Sequence, residues 1–320
     1  SQRKNQIEKH MTIQQLKYII GVSETGSINK AAEILYVSQP SLTAAIKDVE
    51  NEFNITIFNR SSKGITLTSE GKEFIQYGRQ IYAQYDNLLE RFGDAGKSKR
   101  KKHFAVSTQH YSFAVKSFVE MVKKFDTTEY EFAINETRTL AIIEDVSTGR
   151  SEIGILFLSD FNRKAMTKLF NSNDLVFEKL ITCDAYVYLW KKHPLAKEKS
   201  ISFEQLKDYP CLSFDQNASS AFYYAEEILT ENEYPKMIKT TDRATNLNLM
   251  VGLNAYTLCS GIICQELNGG DFVAVPFESD RENKNSKMEI GYVIKKNIIL
   301  SQTGEDYLNE LKKYLAKCRQ

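Results

Sequence analysis

Between Thr12 and Phe92 apolar side chains recur every three or four positions, with polar ones between them. That spacing predicts amphipathic helices. Leu16, Ile19 and Ile20 mark the first, which Gly26 ends; Ser27 caps a second, with Ala31, Ala32 and Leu35 facing inward. Ser38 caps a third, whose stripe of Leu42, Ala45, Ile46, Val49 and Phe53 keeps helical spacing. Helices this short cannot each bury a stripe alone, so a compact three-helix unit is expected. The stretch "ITIFNRSSKGITLT" reads as a β-hairpin turning at Ser61–Gly64, and Ser69 to Phe92 reads as one long helix. That helix carries Phe74, Ile75, Ile81, Tyr82, Tyr85, Leu88, Leu89 and Phe92, more apolar surface than packing within one unit requires. Pairing with a second chain is the expected use.

The texture changes after "GDAGKSKRKK", a hinge rich in glycine and lysine. Short strands then alternate with helices: "KHFAVST", "YSFAVKSFVEMVKKF", "YEFAINET", "LAIIEDVSTG" and "EIGILFL". This βαβαβ series implies a mainly parallel sheet with helices on both faces. A second series starts near Leu180 and includes helices over Ser219–Asn232 and Arg243–Ala255; "MEIGYVIKK" and a final helix return to the first half. The expected organisation is a helical unit with a hairpin over 11–69, a linker helix over 70–93, a hinge over 94–102 and a two-lobed α/β domain over 103–320. Lobe I would comprise 103–180 and 279–320, and lobe II 181–278.

Composition adds little until the chain is split. The net charge is only +1, but residues through His103 hold 16 Lys+Arg against 11 Asp+Glu, and the remainder holds 26 against 30. A basic first third on an acidic body fits a nucleic-acid module joined to something else, although "KSKRKK" supplies much of the excess. The apolar runs are too short to span a bilayer, so no membrane association is expected. "SQRKNQIEKH" has no apolar h-region, and Met11 is the expected natural start. Five scattered cysteines point to reduced, packed thiols in a cytoplasm.

Pro40 sits inside an apparent helix, where a proline costs about 3 kcal/mol. With Ser38 as N-cap, however, Pro40 falls in the first turn, whose N–H groups have no helical acceptor, and it starts the helix rather than breaking it. Turning the apolar stripe inward leaves Gln39, Thr43 and Lys47 along another face, with Ser41 beside the N-terminus. Such groups suit base edges and phosphates in a major groove, and equally suit a solvated helix face.

The run from Leu16 to Gly71 closely resembles the N-terminal domain of LysR-type bacterial transcriptional regulators. Gly26-Ser27, Ala31-Ala32, Leu35, Ser38-Gln39-Pro40-Ser41, Ile46, Glu50, Phe58, Arg60, Leu67-Thr68 and Gly71 carry the match without a gap. Three departures stand out: Phe53-Asn54 in place of Leu-Gly, Thr43 where serine is common, and Glu70 where alanine is usual. The resemblance implies an N-terminal all-α winged helix-turn-helix, a long dimerising linker helix and a C-terminal α/β two-lobed periplasmic-binding-protein-like effector domain. It implies double-stranded DNA, a small-molecule effector, a second copy of the chain (dimer or tetramer) and RNA polymerase as partners, with no metal or cofactor. Ser27, Ser38, Gln39, Pro40, Ser41, Thr43 and Lys47 would sit at the DNA, with Arg60 and Lys63 on phosphates. Arg60 has an alternative as a salt-bridge partner of Glu50 or Glu70. Further patterns, "STQHY", "SEIGIL" and "TDRAT", look like a Gram-positive subgroup linked to sulfur amino acid supply.

In a two-lobed α/β domain, ligands bind where strands end and helix N-termini begin. The candidate positions are Ser107, Thr108 and Gln109; Thr137, Arg138 and Thr139; Gln216, Asn217 and Ser219; Arg243 and Thr245; and Ser260. For any one of these residues ordinary helix capping is the stronger reading; as a set facing one cleft, ligand binding is. Thr108 and Gln109 are the first choice, with small zwitterions or carboxylates as the fitting ligands. An enzyme or a solute-binding protein on the same two-lobed fold is the alternative. The four histidines, His10, His103, His110 and His193, lack metal or triad spacing, and His110 near the cleft suits a ligand contact.

Overall fold

The computed structural model describes residues 10–61, 64–93, 101–125, 129–217, 221–228, 234–278 and 287–318. The chain divides into two compact units, Ser1–Gly96 and Lys97–Gln320.

In the first unit, α1 (Ile13–Thr25) starts with a capping box from Thr12 and Gln15 and ends at Gly26, whose φ of 62° is left-handed. Ser27 caps α2 (Ile28–Ile34) and Ser38 caps α3 (Gln39–Phe53). Leu16, Ile19, Val22, Ala31, Leu42, Ile46 and Val49 are fully or almost fully buried where the three helices meet. Phe53 departs from the expected stripe: it is exposed, edge-on to Phe74 at 5.4 Å. Drift between a 3.6-residue turn and an i+4, i+7, i+11 ladder carries the last position off the core face. Asn54 closes α3 at φ 51°, a left-handed conformation that asparagine tolerates and that explains the place of glycine in the family pattern.

Strands β1 (Phe58–Ser61) and β2 (Gly64–Leu67) pair antiparallel as the expected hairpin. The Glu50 carboxylate accepts from the backbone N–H groups of Ile57 (2.7 Å) and Phe58 (3.2 Å), tying α3 to the start of the hairpin. Next comes α4 (Ser69–Phe92), capped by Thr68. A methyl on Gly71 would lie 2.1 Å from the Ile57 carbonyl oxygen, so only glycine allows this approach. The first half of α4 is buried at Gly71, Ile75 and Gly78, whereas Tyr77, Ile81, Leu88 and Phe92 are exposed along one face.

In the second unit, β3 (Lys102–Thr108), α5 (Ser112–Val122), β4 (Tyr130–Glu136), α6 (Thr139–Ser147), β5 (Ile153–Leu158), α7 (Arg163–Ser172) and β6 (Leu175–Asp184) build most of the first lobe. The second lobe follows with β7 (Tyr186–Trp190), β8 (Ile201–Ser202), α8 (Phe203–Leu206), β9 (Cys211–Phe214), α9 (Ala221–Tyr224) and β10 (Met237–Thr240). It continues through α10 (Arg243–Leu253), β11 (Thr257–Cys259), α11 (Gln265–Asn268) and β12 (Phe272–Glu278). The chain then returns through β13 (Lys287–Lys295) and α12 (Gln302–Lys317).

The first sheet has the order β4-β3-β5-β13-β6. It is mixed rather than mainly parallel, because the returning β13 inserts antiparallel between β5 and β6. All six residues of β5 are buried, as expected for a strand covered on both faces. The second lobe pairs β11-β7-β12-β8, and β9 pairs parallel with β10. The helix expected over Ser219–Asn232 shrinks, within the described residues, to the single turn of α9. Beyond it, Ala225–Ile228 leave helical geometry and bury themselves between the lobes.

Candidate functional site

At the start of α3, Ser38 Oγ accepts from the Ser41 backbone N–H (3.2 Å), and the two serine hydroxyls lie 2.7 Å apart. Pro40 occupies the first turn, as expected. Gln39, Ser41 and Lys47 are exposed, and neither Gln39 nor Lys47 engages another described residue. Ser27 is half-buried and caps α2. Thr43 is half-buried and its hydroxyl is enclosed without a hydrogen-bond partner, so this side chain does not stand free as the stripe suggested. Arg60 is exposed and pairs with no described residue, while Glu50 is already engaged by the hairpin backbone. The salt-bridge alternative is therefore not realised. Lys63 lies outside the described residues.

The second unit contains a cavity of about 90 Å³ between its lobes, enough for a small molecule because one water needs roughly 10–15 Å³. One wall comes from His110, Tyr111 and Ser112 at the start of α5; another comes from Arg243, Asn246 and Met250 on α10. Tyr188, Phe214, Ser260 and Met288 close it. Of the expected effector residues that are described, only Arg243 and Ser260 face this space. Arg243 reaches across the lobes, with Nε 2.8 Å from Glu136 Oε1 and Nη1 donating to Asn268 Oδ1 at 3.0 Å.

Several other candidates do meet, but around the chain itself. Gln109 is buried; its Oε1 accepts from Tyr111 Oη (2.8 Å) and the Phe157 N–H (3.1 Å), and its Nε2 donates to Thr139 Oγ1 (2.7 Å). Thr139 Oγ1 donates onward to the Tyr224 carbonyl (2.8 Å), and its N–H donates to Gln216 Oε1 (3.0 Å). Gln216 Nε2 in turn donates to Glu226 Oε1 (3.0 Å). Gln109, Thr139 and Gln216 thus clamp the 224–226 segment against the start of α6 rather than a ligand.

The remaining candidates are engaged locally. Ser107 donates to Asp145, and Thr108 donates to the Gln109 carbonyl. The Thr137 N–H donates to the Thr108 carbonyl, Arg138 pairs with Asp215, and Thr245 bonds to the capping Asp242. Asn217 is exposed in a left-handed turn beside Asp215. Ser219 lies outside the described residues.

Two buried carboxylates escaped the sequence reading. Glu226 Oε2 accepts from both the His110 backbone N–H and its Nδ1, each at 2.8 Å, while the His110 ring stacks on Phe214 at 3.8 Å. Burial alone would lower the His110 pKa, but the Glu226 hydrogen bond and charge, with help from Glu136 and Glu227, raise it. Glu227 accepts from Ser213 Oγ (3.0 Å) and the Phe214 N–H (2.8 Å). Burial, reinforced by the neighbouring Glu226 charge, pushes Glu227 up to about 8. Burial likewise pushes the Cys259 thiol up to about 12, so it stays protonated. The available signal was "AEEI", two acids between apolar residues in a stretch read as a helix.

Residues 13–72 match the bacterial regulatory helix-turn-helix protein family of LysR type, and residues 110–315 match the LysR substrate binding domain. The chain belongs to the LysR family of transcriptional regulators. It is 24% identical over 310 residues to a probable RuBisCO transcriptional regulator of Phaeodactylum tricornutum, covering 94% of this chain and 96% of that one. It is 26% identical over 215 residues to the transcriptional regulator AlsR of Bacillus subtilis, covering 67% of each. Among solved structures, a full-length OxyR variant from Pseudomonas aeruginosa superposes with a TM-score of 0.64 at 17% identity, over 96% of this chain and 95% of that one. CbnR, a LysR family regulator, gives 0.51 at 16% identity, over 95% and 99%. These likenesses show the shared fold. This LysR regulator therefore combines a helix-turn-helix DNA-binding domain with a two-lobed effector-binding domain.

Proposed function

We propose that this LysR regulator reads its operator with the N-terminal face of α3. Gln39, Ser41 and Lys47 meet bases and phosphates there, and Ser27, Ser38 and Pro40 set the position of the helices. Arg60, with Lys63, takes the flanking phosphates. The single observation that carries this reading is the exposed polar face, unengaged at Gln39 and Lys47, that begins where Ser38 starts the helix. Amide and hydroxyl groups at that position suit major-groove base edges.

The exposed face of α4, with Tyr77, Ile81, Leu88 and Phe92, pairs with a second copy, giving a dimer or a dimer of dimers on a pseudo-palindromic site. The inter-lobe cavity holds the effector, whose binding shifts the lobe arrangement and hence the DNA complex. RNA polymerase is the further partner, and the cytoplasm is the compartment. No helix among the described residues is long and apolar enough to cross a membrane. A non-enzymatic role fits the His110–Glu226 pair, which lines the cavity but whose hydrogen bonds tie chain segments to one another.

Gel-shift titrations on operator and random DNA test the reading. Arg60→Ala should weaken binding to both and lower the salt slope by about one. Gln39→Ala should instead change base preference at one operator position, and equal losses on both DNAs would remove its base-reading role.

A further inference from the structure

The inter-lobe cavity has an unequal supply of hydrogen-bonding groups. Every side-chain carbonyl and carboxylate oxygen on its wall already accepts a bond. Glu226 and Glu227 each have both oxygens engaged, Asn246 Oδ1 accepts from Thr240, and Asn268 Oδ1 accepts from Arg243.

The donors are different. Tyr188 is buried and accepts from Asn268 Nδ2 at 3.4 Å, but its hydroxyl proton goes to no described residue. Burial holds its pKa up to about 12, so that proton stays in place. Asn246 is buried too, and its Nδ2 donates to no described residue. Arg243 uses Nε and Nη1, leaving Nη2 unengaged. The three lie together: Asn268 bridges Arg243 to Tyr188, and Asn246 stands one helical turn beyond Arg243. None of the three is an enclosed, unpaired atom, so each has a bond to offer to an acceptor that enters the cavity. Leu247, Met250, Leu258, Ile262, Ile263 and Met288 supply the rest of the wall, which is apolar. At the other end the chain's own Glu226 already fills the place where an acid would meet the His110 N–H and the Gln216 amide.

We infer that the cavity takes a small ligand with an apolar body and one hydrogen-bond-accepting oxygen head, a carboxylate or carbonyl, seated on Arg243, Asn246 and Tyr188. An amine head is disfavoured, because every side-chain carboxylate and amide oxygen of the wall residues already accepts a bond. The inference rests on the reading of this cavity as the effector site.

The test uses the full chain labelled with ¹³C at the methionine methyls. Met250 and Met288 line the cavity and the other four methionines do not. The probes are 4-methylpentanoate, its ketone counterpart 5-methyl-2-hexanone, and 3-methylbutylamine. The expected result is that the acid or the ketone shifts the Met250 and Met288 signals at least tenfold more tightly than the amine does. Tyr188→Phe, which removes only the hydroxyl, should weaken that binding about three- to tenfold. Arg243→Gln should weaken it further. Equal or tighter binding of the amine at the same two methyls, or no effect of Tyr188→Phe, would overturn the head-group assignment and leave the cavity reading standing. Binding that leaves Met250 and Met288 unmoved would overturn the cavity reading itself. No binding by any of the three would overturn the inference.

Discussion

The start of α3 and the cleft around Gln109 are built from the same residue types, and they use them in opposite ways. At α3, Gln39 and Lys47 are exposed and engage no described residue. In the cleft, Gln109, Thr139 and Gln216 are buried and every bond runs to the chain itself. Amides and hydroxyls at a helix start are therefore not evidence of a ligand site on their own. What distinguishes the two regions is unengaged hydrogen-bonding capacity, and burial decides it, because a buried amide must find a partner within the fold. By the same criterion the incomplete part of the cleft is the corner of Tyr188, Asn246 and Arg243 rather than the first strand–helix junction.

Removing a member of the buried set should have the largest effect. Gln216→Leu strips the Thr139 N–H of its acceptor and Glu226 of a donor, and should cost the second unit about 3 kcal/mol in calorimetric unfolding. Gln39→Ala should stay within about 0.5 kcal/mol of the parent, since nothing in the first unit depends on it. Similar losses for both would erase the contrast.

Acidity offers a second test. Glu227 holds its proton up to about pH 8 in the fold, well above its ordinary 4.5, and His110 is also raised above its ordinary 6.5. The folded chain thus binds protons that the unfolded chain has released. Stability of the second unit should fall as pH rises from about 4.5 through 8, with His110 adding to the loss above its ordinary value. Glu227→Gln should flatten that decline in melts taken across this range, and an unchanged slope would place the proton elsewhere.

Thr43 sits between the two behaviours, on the DNA-binding domain yet with an enclosed, unpaired hydroxyl. Thr43→Val should raise stability by about 1 kcal/mol in urea titrations and leave operator affinity unchanged. A loss of affinity would return Thr43 to the DNA-reading set. The smallest effect is expected at Asn54, where Asn54→Gly should add a few tenths of a kcal/mol by relaxing the left-handed helix end.

The first unit was legible in the sequence almost throughout. Its helices are local objects: Ser27, Ser38, Gly26 and the stripe from Leu42 to Val49 announce their own starts, ends and buried faces. Phe53 was misplaced because a helical ladder drifts off its face over three turns. The second unit was legible in its alternation of strands and helices, but not in the antiparallel entry of β13. That pairing joins residues more than a hundred positions apart, which no local period reports.

The cleft was the least legible region. Which way Gln109 turns, whether "AEEI" stays helical, and which donors remain without acceptors all depend on segments remote in sequence meeting in one small volume. The sequence by itself determined the family, the order of the units and the capped start of α3, because caps, periods and a gapless motif act within a few residues of one another. Only the tertiary structure decided that the polar residues of the first strand–helix junction serve the fold. It alone placed Glu226 against His110 and left Arg243, Asn246 and Tyr188 with bonds to offer. The physical reason is that hydrogen-bond satisfaction belongs to a closed volume rather than to a stretch of chain.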